Sequence, residues 1–129
     1  MSYEIIWKPG GVIQRFFGYV DDDELMQGVV EIEGSPQFDG LRYVINDFLE
    51  VTGISAGTGR VEEIAAINRA ASLSNRKIRI AVVATHPKVV ALADHYARSP
   101  MSVYPTRIFP TIAEGRACLG VSEPHGALA

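Results

Sequence analysis

Two residues of the sequence, Asp47 and His86, have side chains that could act together in acid–base catalysis. A carboxylate and an imidazole exchange a proton only when they lie within hydrogen-bond reach of each other or of the same substrate. Such a pair would make the protein a small enzyme. The alternative, which the sequence favours, is that Asp47 binds neighbouring loop amides and that His86 is a capping or surface histidine.

A second group of residues could bind an anion. The stretch 49–59 contains three glycines, Gly53, Gly57 and Gly59. Small residues let backbone amides approach a phosphate at the start of a helix. Lys88 lies in the first turn of a helix, where the helix dipole disfavours a cation, and a bound anion would offset this unfavourable interaction. The glycine spacing matches neither a Walker loop nor a dinucleotide fingerprint. An ordinary turn with Thr58 as N-cap, and a solvated lysine, are the alternatives.

The stretch 78–87 predicts how the fold positions these groups. It is an apolar, partly β-branched run that ends at Pro87. A short run of this kind is typical of a strand buried on both faces. Proline suits the first position of a helix and excludes the preceding residue from helical backbone angles, so His86 is expected to be the N-cap. A strand followed at once by a helix indicates a parallel α/β sheet.

The other patterns extend this prediction along the chain. Strands are predicted at 3–7, 12–20, 41–48, 77–85 and 103–109. Helices are predicted at 21–34, 60–74, 87–98 and 111–119, the last with a capping box of Thr111 and Glu114 and a stop at Gly120. The first two strands form an antiparallel hairpin, and Pro105 shortens the fifth strand or places it at an edge. The fold class is therefore α/β, a five-stranded mixed sheet with four helices, in one domain over 1–120 followed by a loose tail at 121–129.

This fold predicts one place for a site. Open α/β sheets bind ligands outside the carboxyl ends of their strands, where Pro110 and Thr111 are also expected. The candidate ligand- or partner-binding residues at that edge are Asp47, Ser55, Gly57, Thr58, Gly59, Thr85, His86 and Lys88.

The composition excludes several classes of protein. The 129 residues carry a net charge of −3, with 47% hydrophobic and 21% charged residues, which indicates a globular protein without the broad basic field of an extended nucleic-acid binder. Cys118 is the single cysteine, so no internal disulfide forms, and we expect it to be a small apolar filler. We predict no metal and no cofactor, because the candidate metal ligands do not converge. His86 and His95 would not share a helical face, Asp94 and His95 are expected at the surface, and His125 lies in the tail. No signal peptide or membrane-spanning stretch is evident, and a cytoplasmic protein is expected.

The order of elements and the residues at their joints resemble the SpoIIAA-like (STAS-like) family, over about Tyr3 to Leu119. The resemblance is carried by Phe17-Gly18-Tyr19-Val20, by the stretches 41–48 and 77–83, and by Arg107-Ile108-Phe109 before a helix that closes on Cys118-Leu119. Family members often close that helix with Trp-Leu, from which Cys118 departs. The resemblance implies a stand-alone bacterial protein of this fold, without an established activity.

The better-known branch of that family, the anti-anti-sigma factors, implies a position for phosphorylation. Their phosphorylated serine lies in an Asp-Ser-Ser-Gly-like stretch at the start of the helix after the third strand. This chain has no Asp-Ser pair in the matching stretch 52–59, where Ser55 or Thr58 would take that position.

Three functions follow as hypotheses. The first is a non-catalytic regulatory domain that presents the stretch 49–59 to a partner protein or a small anionic ligand, with phosphate on Ser55 or Thr58. The second is the small enzyme with Asp47 and His86. The third is an interaction module that forms oligomers, such as a homodimer, through aromatic residues of the second strand, Phe16, Phe17 and Tyr19, if the helices leave one sheet face open.

Overall fold

The computed structural model describes residues 2–121, which form a five-stranded sheet with four α-helices. The strands are β1 (Tyr3–Lys8), β2 (Gly11–Val20), β3 (Tyr43–Ile54), β4 (Arg79–Val83) and β5 (Thr106–Phe109). The helices are α1 (Asp22–Glu33), α2 (Thr58–Ala71), α3 (Pro87–Arg98) and α4 (Ile112–Leu119). Residues 122–129 of the predicted tail, which include His125, lie outside the described residues.

The strands lie in the order in which they occur along the chain, β1-β2-β3-β4-β5. β1 pairs antiparallel with β2, whereas β2, β3, β4 and β5 are mutually parallel. The predicted mixed sheet with an antiparallel edge strand is confirmed. Because the four parallel strands end at the same side of the sheet, the starts of all four helices lie at that side.

The helices cover the two faces of the sheet unequally. The larger core lies under α1, α2 and α3 and includes Phe16, whose ring stacks on that of Phe48 at 4.6 Å between centroids. The smaller core lies on the opposite face, where Leu119 of α4 packs with Ile45. The sheet is therefore buried on both faces at β3 and β4, as the apolar stretch at β4 predicted.

The predicted helix ends are confirmed where the sequence supplies a cap. Asp21 forms a full capping box with Glu24 at the start of α1, and the imidazole of His86 accepts the Lys88 N–H at the start of α3. Thr111 accepts the Glu114 N–H at the start of α4. That helix ends at Gly120, whose left-handed backbone (φ 71°) suits glycine.

The prediction of a loop at 49–59 is wrong for its first half, because β3 continues to Ile54. Its pairing with β2 shifts register twice, between Arg15 and Phe17 and between Gly18 and Tyr19. Each bulge inserts an extra residue into β3 and breaks the two-residue alternation that marks a strand. Buried side chains consequently recur every three residues, at Phe48, Val51 and Ile54.

Other boundaries also differ from the prediction. α2 begins at Thr58 with Gly57 as its N-cap, so Thr58 is not the cap, and the helix ends at Ala71 rather than at 74. β4 is shorter than predicted. β5 is a short edge strand, as Pro105 predicted. The carbonyl of Pro105 accepts the Ile80 N–H, but proline has no N–H of its own with which to continue the ladder.

The strands are unequal in length, so the sheet is stepped. Val83, the last residue of β4, pairs both with Asp47 of β3 and with Phe109 at the end of β5. Residues 48–54 of β3 extend beyond that line with β2 as their strand neighbour. Because the two bulges place seven residues of β3 beside five of β2, this β2–β3 extension is roughly 16 Å long at about 3.3 Å per residue.

Candidate functional site

Ser55 lies at the tip of the β2–β3 extension and is exposed. Its backbone N–H donates to the Val20 carbonyl at 3.0 Å, which closes the end of the β2–β3 ladder. Its hydroxyl oxygen accepts the Asp22 N–H at 3.0 Å. Asp22 is the first residue of α1, so Ser55 supplies a hydrogen-bond partner to one of the N–H groups that a helix start leaves unpaired.

Lys88 reaches the same tip from α3. Its Nζ donates to the Ile54 carbonyl at 2.6 Å. Neither sequence-based interpretation of Lys88, as an anion contact or as a solvated lysine, anticipated this bond. The ammonium group satisfies the hydrogen-bonding capacity of a carbonyl at the end of β3, which explains a cation in the first turn of a helix without a bound anion.

Arg60 of α2 brings a second cation to the start of α1. Its guanidinium contacts Asp22 at 3.4 Å and Asp23 at 3.1 Å, and these partners, with the bond to Asp22 foremost, raise the pKa of Arg60. Its Nε is buried without a hydrogen-bond partner among the described residues. Arg60 was not among the residues predicted from the sequence. The signal for a cation there was the number of acidic residues at the start of α1, since one cap needs only one carboxylate.

The three glycines that suggested a phosphate loop have different roles. Gly53 lies within β3, where a Cβ would come within 2.9 Å of the Tyr19 ring. Gly57 caps α2 without a side-chain hydrogen bond, and Gly59 is the second residue of that helix, with open space where its Cβ would be. The start of α2 is therefore exposed at Gly57, Thr58 and Gly59 and lacks a side-chain cap. Thr58 is exposed within it.

These residues form one surface at the carboxyl side of the sheet. We call it the Ser55 surface, and it consists of Ser55, Gly57, Thr58, Gly59, Arg60, Lys88 and the start of α1 at Asp22 and Asp23. It combines a hydroxyl group, two cations and two helix starts with two carboxylates. This arrangement is suited to binding and to a change of charge.

The structure does not bring Asp47 and His86 together as an acid–base pair. Asp47 lies on the sheet face of Ile45, which α4 covers, and its carboxylate accepts the Leu49 N–H at 3.0 Å. His86 caps α3 on the opposite face and its Nδ1 accepts the Lys88 N–H. Within residues 2–121 no hydrogen bond joins the two side chains. Thr85 is exposed between β4 and α3, and within residues 2–121 its side chain forms no hydrogen bond with the Ser55 surface.

The remaining histidine and cysteine of the described chain are held by polar contacts. His95 is half-buried, not a free surface residue, and its Nε2 lies 2.7 Å from the Glu62 carboxylate. Cys118 is half-buried with its Sγ 3.5 Å from the Arg107 guanidinium, so it is not only an apolar filler. In residues 2–121 no three His, Cys, Asp or Glu side chains are grouped as metal ligands.

The aromatic residues of β2 differ in their surroundings. Phe16 is fully buried, Phe17 is half-buried, and Tyr19 is 61% exposed. α4 packs mainly on β3, β4 and β5, and among residues 2–121 no helix packs to a similar extent on the β1–β2 part of its face. There Arg15 forms ion pairs with Glu4 and Glu50. A homodimer through Phe17 and Tyr19 stays a prediction.

Comparisons with known proteins show a likeness in structure and none in sequence. No family model and no curated protein matches the sequence. Among solved structures, the anti-sigma factor antagonist SpoIIAA in its unphosphorylated form superposes with a TM-score of 0.60 at 11% identity, over 90% of this chain and 94% of that one. The chain has the SpoIIAA-like fold.

Two further structures agree with this fold. The Bacillus cell fate determinant SpoIIAA in its phosphorylated form gives a TM-score of 0.59 at 14% identity, over 91% of this chain and 98% of that one. An uncharacterised protein of the DUF3478 family from Shewanella loihica PV-4, itself of SpoIIAA-like fold, gives 0.54 at 12% identity, over 91% of each chain. None of the helices within residues 2–121 has the length and apolar character needed to cross a membrane.

Proposed function

We propose that this protein is a non-catalytic regulatory domain that binds a partner protein through the Ser55 surface, and that phosphorylation of Ser55 weakens this binding. The observation that carries the proposal is the Ser55 hydroxyl group, which is exposed and at the same time bonded to the start of α1. A modification at this one oxygen acts directly on a neighbouring helix.

The charges around Ser55 indicate how such a change would work. A phosphoryl group adds nearly two negative charges and three acceptor oxygens. It would be repelled by Asp22 and Asp23 and would compete with them for the Arg60 guanidinium. Loss of the ion pairs to Arg60 would alter the link between α1 and α2. The added charge would also repel a partner whose contact surface is acidic.

The SpoIIAA structures support this proposal by analogy of fold. SpoIIAA is an anti-sigma factor antagonist with an unphosphorylated and a phosphorylated form. Ser55 and Thr58 are the hydroxyl residues next to the start of the helix after β3 in this chain. We favour Ser55 because its hydroxyl oxygen accepts the Asp22 N–H, so that a phosphoryl group there acts directly on the start of α1.

Phosphorylation is tested by incubating the purified protein with cell extract and ATP and mapping the modified residues by mass spectrometry. We expect phosphate on Ser55. Phosphate on Thr58 alone, or on neither residue, would contradict the proposed switch.

Partner binding is tested with Ser55→Asp, which adds charge at the Ser55 surface, against the control Ser74→Asp, at an exposed serine beyond the end of α2 and outside that surface. A partner captured by the wild-type protein is purified and its affinity for each variant is measured by calorimetry. We expect Ser55→Asp to weaken binding at least tenfold and Ser74→Asp to change it less than threefold. Equal affinities would overturn the proposal, and so would binding of inorganic phosphate alone at this surface.

A further inference from the structure

β1 leaves one edge of the sheet without a strand partner among residues 2–121. Its other edge pairs with β2, where the Phe17 N–H donates to the Ser2 carbonyl at 2.9 Å. Because the backbone groups of successive residues point to opposite sides of a strand, this bond fixes their directions along β1. The even-numbered residues of β1 direct N–H and C=O toward β2, and Ile5 and Trp7 direct theirs to the open edge.

β1 lacks most of the features that protect an edge strand. Proteins commonly block such an edge with a proline, a bulge or a charged residue. The six residues of β1 contain no proline and pair with β2 without a bulge. Lys8 lies at the end of the strand, whereas Ile6 near its centre is 37% exposed. This edge is therefore suited to pairing with another strand.

Three side chains of β1 lie on the α4 side of the sheet. Ile6 pairs with Ile13, which belongs to the smaller core on that side. Since side chains alternate along a strand, Glu4 and Lys8 share this face with Ile6. Arg15 binds Oε1 of Glu4 at 2.9 Å, and Lys8 has no ion pair within residues 2–121. The order along this face is negative, apolar, positive.

This order is complementary to itself when two copies of β1 run antiparallel. With Ile6 of one copy opposite Ile6 of the other, each Glu4 lies opposite a Lys8. On the other face of the strand, each Ile5 lies opposite a Trp7. Opposite charges and pairs of an aromatic with a β-branched residue both stabilise neighbouring strands. Ile5 and Trp7 also have the outward backbone groups, so each such pair exchanges two hydrogen bonds.

Other alignments of the two strands lose these pairs. A parallel alignment in register places Glu4 beside Glu4 and Lys8 beside Lys8, and like charges in this position are destabilising. An antiparallel alignment shifted by two residues places a charge opposite Ile6. The charges consequently favour one occupant of the edge, a second copy of the same strand, in one register.

We propose that two copies of this chain associate through β1, with a two-fold axis between the Ile6 residues, so that their sheets form one continuous sheet. This interface is at the edge of the sheet and differs from the predicted one through Phe17 and Tyr19, which would cover a face. It does not include the Ser55 surface and does not depend on the proposed function.

Sedimentation equilibrium of the full chain tests the association from about 1 μM to about 1 mM, the range expected for a small interface. We expect a dimer with twice the chain mass of 14.0 kDa. Lys8→Glu places like charges opposite each other, and we expect it to weaken the dimer about tenfold. Lys77→Glu, at an exposed lysine before β4, is the control and should have less than a threefold effect. A monomer at every concentration, or an equal effect of both variants, would overturn the proposal.

An equimolar mixture of Lys8→Glu and Glu4→Lys tests the pairing of charges. Each variant alone has like charges at both contacts of the dimer, whereas in a mixed dimer both contacts join opposite charges. We expect the mixed dimer to be about tenfold tighter than the dimer of either variant. A mixed dimer no tighter than the others would contradict the contact between Glu4 and Lys8.

Cysteine cross-linking tests the register, in a chain whose own cysteine is removed by Cys118→Ala. Ile6→Cys places the two introduced cysteines opposite each other, within the Cα separation that a disulfide spans. In Glu4→Cys they lie about 14 Å apart, four residues along the strand. We expect Ile6→Cys to form a disulfide-linked dimer, and Glu4→Cys to do so only when mixed with Lys8→Cys. No cross-link in Ile6→Cys, or an equal one in Glu4→Cys alone, would exclude this interface.

Discussion

The hydroxyl oxygen of Ser55 lies 3.0 Å from the backbone nitrogen of Asp22 and accepts its hydrogen bond. The two residues are far apart in sequence, and the β2–β3 extension brings them together. The end of β3 is thereby joined to the start of α1. This bond relates the residue proposed for modification to a helix whose first turn carries three carboxylates.

The substitution Ser55→Ala removes this bond and leaves the Asp22 N–H with only water as a partner. We expect it to lower the free energy of unfolding by about 1 kcal/mol, the usual contribution of a helix-capping bond. Urea denaturation measures the change. Thr58→Ala is the control, since an exposed residue outside such a bond changes stability by less than about 0.5 kcal/mol. An equal loss in both variants would show that the Ser55 bond contributes nothing specific.

The substitution Lys88→Met keeps the aliphatic part of the side chain and removes the ammonium group that binds the Ile54 carbonyl. We expect a loss of about 1 kcal/mol, less than for a buried charged bond because Lys88 is partly solvated. Lys77→Met, at an exposed lysine before β4, is the control. Thermal unfolding of both variants tests this expectation. If Lys88 were only solvated, Lys88→Met and Lys77→Met would change the melting temperature by the same amount.

Glu33 at the end of α1 predicts a dependence of stability on pH. Burial raises the pKa of Glu33 to about 7 from an ordinary value of 4.5. Between these two pH values the unfolded chain has lost the proton that the folded protein keeps, so stability falls as pH rises through this range and the full loss is present above pH 7. Nearby Tyr104, whose pKa burial raises to about 12, stays neutral throughout.

The substitution Glu33→Gln should therefore match the wild-type protein at pH 4 and exceed it at pH 8. We expect a gain of roughly 1 kcal/mol, discounted for solvent screening because Glu33 is only half-buried. Urea denaturation at several pH values measures it, with Asp39→Asn at an exposed carboxylate as the control. A gain that does not vary with pH would contradict a raised pKa.

Replacing either of two helical glycines by alanine should change the stability of the protein, but in opposite directions. In Gly28→Ala the new methyl group would meet the buried Gln14 amide, and we expect a loss of about 1–3 kcal/mol from the clash. In Gly59→Ala the methyl group enters open space, and the higher helix propensity of alanine should raise stability by about 0.5 kcal/mol. Calorimetry of the two variants tests this contrast. A gain in Gly28→Ala would mean that Gln14 moves freely.

Local chemistry explains which parts of the fold could be predicted. Pro87, Thr111 and Gly120 act on their own backbone, so the ends of α3 and α4 follow from the sequence. β3 could not be predicted to its end, because two bulges remove the alternation after Phe48. The boundary of α2 was missed because Gly57 offers no side-chain cap.

The candidate site was predicted in its position and not in its contacts. The carboxyl side of a parallel sheet indicated Ser55, Thr58 and Lys88 together. Their partners depend on tertiary contacts, such as the bond from Lys88 to Ile54, that no local pattern encodes. The burial of Gln14 could not be predicted for the same reason, since nothing in a strand sequence distinguishes a buried glutamine from a solvated one.

The stepped sheet has a consequence for how Ser55 can be reached. Residues 48–54 of β3 have one strand neighbour, whereas the part of β3 before them has two. A segment with fewer ladder bonds opens at a lower free energy than the whole domain. The tip can therefore separate from α1 while the five-stranded part stays intact, so the enzyme that the proposed phosphorylation requires would reach the bonded hydroxyl oxygen through a small local opening rather than through global unfolding.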